Sequence, residues 1–344
     1  MAENRESDNR ILEIVNARRI IEGPSDKFMA INPVKYPWAI ELFENMMHNE
    51  WFPRRINMKK DSIEYRAEGN SGIRLGVDRA LAFLTNLDAI QVENLTYNII
   101  NHITDPTIKM CMYRQIWEEA LHVFSYSYCI ESVCESQLQI YDMYRVDAVL
   151  REKNDFVMAQ AFAMKNEGFT PENFVYALVS NIILEGVYFH SGFLYFYVLE
   201  KLHRKFLGIA NMIRYIQRDE TSHVVLFTNI FNTMRVERPE IFTDAVKENI
   251  IKLFDAGVKL ETAWGRHIIE KGVAGLTNST VEDYIMCLAD ERLSDIGLPK
   301  QYKRENPYPW VKEISVVNSS EKNFFESKPT DYSKETLQFS EDDD

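Results

Sequence analysis

Glu119-Ala120-Leu121-His122 and Glu220-Thr221-Ser222-His223 carry one pattern, Glu-x-x-His. On a helix, residues i and i+3 share a face, so a carboxylate and an imidazole at this spacing reach a common target. A single such pair arises by chance in many helical proteins. Here each copy follows another carboxylate at similar distance: Asp88 stands 31 positions before Glu119, and Glu185 stands 35 before Glu220. Two carboxylate helices alternating with two Glu-x-x-His helices describe a dinuclear metal site inside a helical bundle. The candidate ligands are Asp88, Glu119, His122, Glu185, Glu220 and His223. Their four carboxylates balance the charge of two divalent ions, which a buried site requires because burying an uncompensated ion costs several kcal/mol. Oxygen-rich ligation with imidazole suits iron or manganese better than a structural zinc. Glu185 lies in the apolar run from Val179 to Phe189, where a buried carboxylate needs a partner. Glu118 and Asp219 adjoin the ligand glutamates, each i,i+4 to a histidine. They can serve as ligands, or as acceptors for the imidazoles' outer nitrogens.

These side chains need long helices to carry them. Glycine and proline are sparse (13 and 11 in 344 residues), and helical periodicity recurs almost throughout, which predicts an all-α protein. Helices are expected over 37–48, 72–103, 107–136, 139–165, 172–199, 206–235, 241–271 and 279–296. Residues 1–35 read as an extended polar arm, 36–315 as one helical domain, and 316–344 as a polar tail with too little apolar surface to offset the entropy of ordering. Tyr126 follows His122 by one turn and should stand near the metals. Phe189 and Phe193 lie at i+4 and i+8 from Glu185, and Ile216 precedes Glu220 by four. Spacing alone allows these to form a dry pocket round Tyr126 or an ordinary core cluster.

The net charge of −13 argues against nucleic-acid binding through a basic face. The charged N-terminus lacks the apolar stretch of a secretory signal, and no run of 18 residues is free of charge, so neither export nor a membrane span is expected. Cys111, Cys129, Cys134 and Cys287 lack zinc-ligand spacing and read as reduced core thiols of a cytoplasmic protein.

The segments Asp88-Ala89-Ile90-Gln91, Glu119-Ala120-Leu121-His122-x3-Tyr126, Leu184-Glu185-Gly186-x2-Phe189 and Arg218-Asp219-Glu220-x2-His223 together resemble the small, radical-generating subunit of class I ribonucleotide reductase. Trp51 in Glu50-Trp51-Phe52-Pro53 and the run Asn323-Phe324-Phe325-Glu326 fit as well. The resemblance spans nearly the whole chain, from about Lys35 into the tail. It implies a ferritin-like bundle whose metal pair, Fe/Fe, Mn/Fe or Mn/Mn, reacts with an oxygen-derived oxidant and leaves a radical on Tyr126, as in most members, or stores the oxidant on the metals, as in some subclasses. It also implies a transfer route through His122, Asp219 and Trp51, and a relay tyrosine at Tyr332. Leu337 to Asp344 would then dock on the large subunit, where ribonucleotides are reduced. A homodimer is implied, with 72–103 and 107–136 as interface helices, and an activating flavoprotein serves some relatives. Three residues bear on the metal pair. Tyr126 stands where a manganese–iron branch carries phenylalanine, and Asp88 where that branch tends to carry glutamate; Tyr215, by contrast, is similar to that branch. The interval from Glu185 to Glu220 is one residue longer than usual, with the insertion placed between Glu200 and Gly208. A substrate-binding metal oxidase and a ferritin-type storage protein are the competing readings; neither accounts for Tyr126 together with the tail.

Overall fold

The computed structural model describes residues 2–24, 29–69 and 71–312. Among these, twelve α-helices follow in order: α1 (Ala2–Ala17), α2 (Pro37–His48), α3 (Lys59–Ala67), α4 (Gly72–Asn94), α5 (Pro106–Val133), α6 (Gln137–Val146), α7 (Ala148–Glu167), α8 (Pro171–Ile183), α9 (His190–His203), α10 (Leu207–Glu237), α11 (Asp244–Ile268) and α12 (Asn278–Asp295). Extended pairing among the described residues is confined to two isolated bridges, Ile21–Ile103 and Val273–Leu276. The expected all-α architecture is therefore observed.

Local chemistry sets many of the boundaries. Ser71, Asp105, Asp147, Thr170, Thr243 and Thr277 each accept a backbone N–H from the first turn of the helix they precede. Pro106 and Pro171 occupy first helical positions, where a missing N–H is no loss. The N-terminus of α10 is capped from a distance: Asp61 of α3 accepts from Gly208 N at 3.1 Å and Ile209 N at 2.8 Å. α4 lies along α5 and α8 along α10, while α5 meets α10, which builds the four-helix centre. α2 and α3 cover α5 and α10, α6 and α7 pack on α4, and α11 and α12 close the side of α8 and α9. The stretch Pro171–His203 is long and apolar enough to cross a membrane, yet its most apolar window is wholly buried inside the protein, as befits a core helix. Cys111, Cys129 and Cys134 are buried free thiols, and Cys287 is half-buried.

Five features depart from the sequence expectations. The arm read as extended contains α1, and Arg18 then donates to the carbonyls of Ala30 and Ile31 at 2.7 Å each. The helix expected over 72–103 leaves α geometry at Asn94 through a π turn, Leu95–Ile99, and a 3-10 turn, Ile100–His102. The helix expected over 172–199 is interrupted by a second π turn, Leu184–Tyr188, which carries Glu185. α3 carried no expectation at all. Finally, the helix expected over 139–165 is two helices. Asp147 breaks it by accepting Val149 N at 3.0 Å and Leu150 N at 3.1 Å, while its other oxygen sits 2.6 Å from His267 Nε2.

Burial would raise the Asp147 carboxyl, but His267 and the cap amides outweigh it and hold the group below its ordinary range. The cap's contribution is therefore present above the ordinary aspartate pKa and is lost as pH falls through the depressed value. Asp147→Ala is expected to cost about 1–2 kcal/mol. Urea unfolding would show this as a lower midpoint with unchanged slope. An unchanged midpoint would mean that something other than this cap separates α6 from α7.

Candidate metal centre

α4 contributes Asp88, α5 contributes Glu119 and His122, the π turn contributes Glu185, and α10 contributes Glu220 and His223. All six side chains are buried. They converge as two overlapping groups: Asp88, Glu119, His122 and Glu220, and Glu119, Glu185, Glu220 and His223. Within each, one donor atom per residue lies within 4.8 Å of the others. Glu119 and Glu220 belong to both groups. His122 Nδ1 is 3.1 Å from Glu220 Oε1 and 3.7 Å from both Asp88 Oδ2 and Glu119 Oε2. His223 Nδ1 is 2.9 Å from Glu220 Oε2, 3.2 Å from Glu119 Oε1 and 3.8 Å from Glu185 Oε2. Both imidazoles thus aim Nδ1 at the shared space.

The outer nitrogens cross between the two motif helices. His122 Nε2 meets Asp219 Oδ2 at 3.2 Å, and His223 Nε2 meets Glu118 Oε2 at 2.9 Å. Each acid therefore serves the histidine of the opposite helix rather than the one at i+4 on its own. This orients the imidazoles from behind. Beyond these acids the halves differ: Arg114 Nε donates to Glu118 at 2.9 Å, whereas Trp51 Nε1 donates to the same Asp219 oxygen that His122 uses, at 2.7 Å.

Orphaned atoms test whether these residues suit a metal pair. Both Asp88 oxygens, Glu119 Oε2, Glu185 Oε2, Glu220 Oε1 and His122 Nδ1 are buried without a hydrogen-bond partner. Each such atom costs about 1–3 kcal/mol. His122 Nδ1 and Glu220 Oε1 face each other at 3.1 Å, so the cost falls mainly on the Asp88, Glu119 and Glu185 oxygens, and it is large against a domain stability of about 5–15 kcal/mol. Cations between them would satisfy every one, so the donor set fits. The electrostatics agree. Burial, then the charges of Glu119 and Glu220, push Asp88 and Glu185 well above the usual carboxylate range. Burial opposes protonation of His122 and His223, but the surrounding carboxylates outweigh it and raise both. Protons thus take up part of the compensation that metal would provide.

Sequence spacing missed the amide side chains that hold the carboxylates. Gln115 Nε2 donates to Glu185 Oε1 at 3.0 Å and Glu119 Oε1 at 3.2 Å. Gln91 Nε2 donates to the same Glu185 oxygen and to Asn181 Oδ1, and Asn94 Nδ2 bonds both Gln91 and Asn181. The signal was available in part: Gln91 is i+3 from Asp88 and Gln115 is i−4 from Glu119.

Tyr126 is fully buried, and its hydroxyl has no hydrogen-bond partner. Burial and then the neighbouring Asp88 charge raise its phenol well above the ordinary value, which keeps it neutral. Phe189, Phe193 and Ile216 are wholly buried, with the two phenylalanine rings stacked at 5.6 Å. Trp51 lies just beneath the surface, stacked on Tyr215 at 5.2 Å and facing the His122 ring at 6.2 Å. Tyr332 and Leu337 to Asp344 lie outside the described residues.

Comparison with known proteins agrees with this geometry. Residues 29–307 match the family "Ribonucleotide reductase, small chain". The ribonucleoside-diphosphate reductase subunit beta of Halalkalibacterium halodurans is 32% identical over 319 residues, covering 92% of this chain and 91% of the relative. The corresponding subunit of Treponema pallidum is 34% identical over 331 residues, covering 93% and 92%. The solved ribonucleotide reductase R2 subunit of Clostridium botulinum superposes with a TM-score of 0.82 at 33% identity, covering 86% of this chain and 93% of that one. A buried centre of four carboxylates and two histidines, in a chain matched from α2 through α12, places this protein in the family of ribonucleotide reductase small subunits, which work with a large-subunit partner.

Proposed function

We propose that this small subunit generates and stores an oxidising equivalent and delivers it to a large subunit that reduces ribonucleoside diphosphates. The observation that carries the reading is the buried six-residue centre continued outward by one unbroken line, His122–Asp219–Trp51. Asp88, Glu119, His122, Glu185, Glu220 and His223 would hold two ions: an iron pair first, a manganese–iron or dimanganese pair as alternatives. Bound there, the pair would supply oxidising power drawn from dioxygen.

The chain's own residues then determine where that power goes. Tyr126, a buried phenol one helical turn after His122 on α5, is the residue that would hold it. Its hydroxyl meets no hydrogen-bonding protein group, and Phe189, Phe193 and Ile216 belong to the same fully buried core. Asp219 accepts from Trp51 Nε1 and faces His122 Nε2, so one carboxylate couples the imidazole to the indole. Trp51 carries the equivalent to the rim. Tyr332 and the segment Leu337 to Asp344, in the 316–344 tail, would take it across to the large subunit. The outer face of α5 exposes Tyr113, Trp117 and Phe124, spaced to lie together, and Tyr97 of the π turn after α4 is exposed as well. Such a patch supports a homodimer through these helices. A cytoplasmic site of action, with a flavoprotein activator if manganese is used, completes the reading.

Three outcomes are expected. First, protein loaded anaerobically with iron or manganese and then exposed to air should give an organic radical signal in electron paramagnetic resonance. Tyr126→Phe should abolish it without changing metal content; a metal-centred signal unchanged in the variant would mean that the metals themselves store the oxidant. Second, Trp51→Phe should retain the metals and the radical yet lose reductase activity with the large subunit. Retained turnover would exclude the His122–Asp219–Trp51 line. Third, a chain ending at residue 331 should keep its radical but fail to bind the large subunit, and full activity from that chain would refute docking through the tail.

A further inference from the structure

Lys153 of α7 and Glu261 of α11 form a wholly buried ion pair. Neither residue belongs to a metal-binding pattern. Stability alone does not account for such a pair, because desolvating two charges offsets their attraction and an apolar pair of the same volume would pack as well. Its other contacts are more informative. Lys153 Nζ donates to the carbonyl of Tyr188 at 3.1 Å, and Tyr188 is the last residue of the π turn that carries Glu185. Glu261 Oε1 accepts the N–H of Ser191 at 3.0 Å, in the first turn of α9. The pair therefore takes one backbone group on each side of the junction between π turn and helix. A π turn breaks the α register, and buried backbone groups released there need outside partners.

The neighbours point the same way. Lys153 Nζ lies 3.5 Å from the ring centroid of Phe83, five residues before Asp88 on α4. Trp264, next along α11, packs on Phe83 at 5.4 Å. α11 approaches this closely because Gly257 and Gly265 stand one turn to either side of Glu261. A Cβ at Gly257 would meet Ile183 Cγ2 and the Tyr188 hydroxyl at 2.9 Å, and a Cβ at Gly265 would meet Ser191 Oγ at 2.8 Å. One face of α11 is thus fitted to the π turn and the start of α9.

We propose that Lys153 and Glu261 are positioning residues for the metal centre: they clamp the backbone on both sides of the π-turn junction and so fix the direction in which Glu185 faces the second ion. The proposal rests on Glu185 being a ligand. Because Glu185 belongs to the His223 group only, loosening the clamp should affect one ion of the two.

Two double variants test it. K153M/E261L removes both charges together, leaves no unpaired ion, and deletes both backbone clamps. K153M/E261Q deletes the Tyr188 clamp but keeps an amide oxygen for Ser191 N–H. The readouts are hydrogen exchange of the 184–191 amides in metal-free protein, and manganous-ion titration followed by electron paramagnetic resonance. K153M/E261L should speed exchange in that segment and weaken the second ion about ten- to hundredfold, with the first ion unchanged. K153M/E261Q should fall between it and the parent, and it carries the test if K153M/E261L does not fold. Parent-like exchange and two ions bound with parent affinity in both variants would overturn the proposal. Failure of the parent itself to bind two manganous ions would instead overturn the ligand reading.

Discussion

Four carboxylates share one dry space at the centre of this protein, and most of the architecture can be understood as the means of keeping them there. Like charges at these distances cannot all stay ionised in a low-dielectric core without compensation. Some compensation comes from burial and neighbouring charge, which raise Asp88 and Glu185 toward the neutral form, and from the carboxylates that favour a proton on His122 and His223. The rest comes from amide donors: Gln91 and Gln115 both point their nitrogens at one Glu185 oxygen. Several donor atoms still have no partner. The bundle holds these groups in an arrangement that only cations fully satisfy.

Such preorganisation needs rigid helices with one permitted irregularity. A regular α-helix from Pro171 to His203 would place Glu185 by its 3.6-residue period alone. The π turn adds a register shift at that residue, and the structure closes round the shift: Gly186 admits Arg292 from α12, where a Cβ would meet Arg292 Cδ at 2.6 Å, while Gly257 admits Tyr188 from the other side. Helix termini are treated with similar economy. α10, which carries half of the second metal group, has no local side-chain cap; Asp61 supplies it from α3. Backbone contacts that brace the helices of the centre thus come from α3, α7 and α11, beyond the helices that carry the six side chains.

This division explains what the sequence made legible. Residues related by helical spacing could be read directly as one convergent group: the two Glu-x-x-His pairs with Asp88 and Glu185. Glu118 and Asp219 were found by spacing, but spacing left their role open, because i,i+4 proximity to a histidine on one helix does not reveal that each reaches across to the other helix. Lys153, Glu261 and Asp61 could not be read, since their partners lie 35 or more positions away and are largely backbone atoms, which leave no mark in composition. The split at Asp147 was missed for a related reason. Apolar periodicity runs through both α6 and α7, and only a competing cap hydrogen bond, backed by His267 from α11, decides the break.

The two halves of the centre are near-repeats, and their difference gives the site a direction. In each, an acid beside a ligand glutamate holds the opposite histidine from behind. On one side that acid, Glu118, ends in Arg114, whose guanidinium also lies 4.2 Å from the Trp117 ring. A fixed cation next to the acid stabilises its charge and opposes the movement of a further positive equivalent through it. On the other side Asp219 receives a neutral indole N–H from Trp51, which is itself stacked on Tyr215 just under the surface. An indole can be oxidised and can release its proton to the carboxylate it already contacts; a guanidinium can do neither at accessible cost. Arg218 does approach Asp219, but at 3.6 Å from its other oxygen and while donating to the Asn49 carbonyl, so the oxygen between Trp51 and His122 remains free for that exchange. The near-symmetry of the helices therefore does not extend to the groups behind the two histidines: an oxidisable indole stands behind His122 and a fixed cation behind His223.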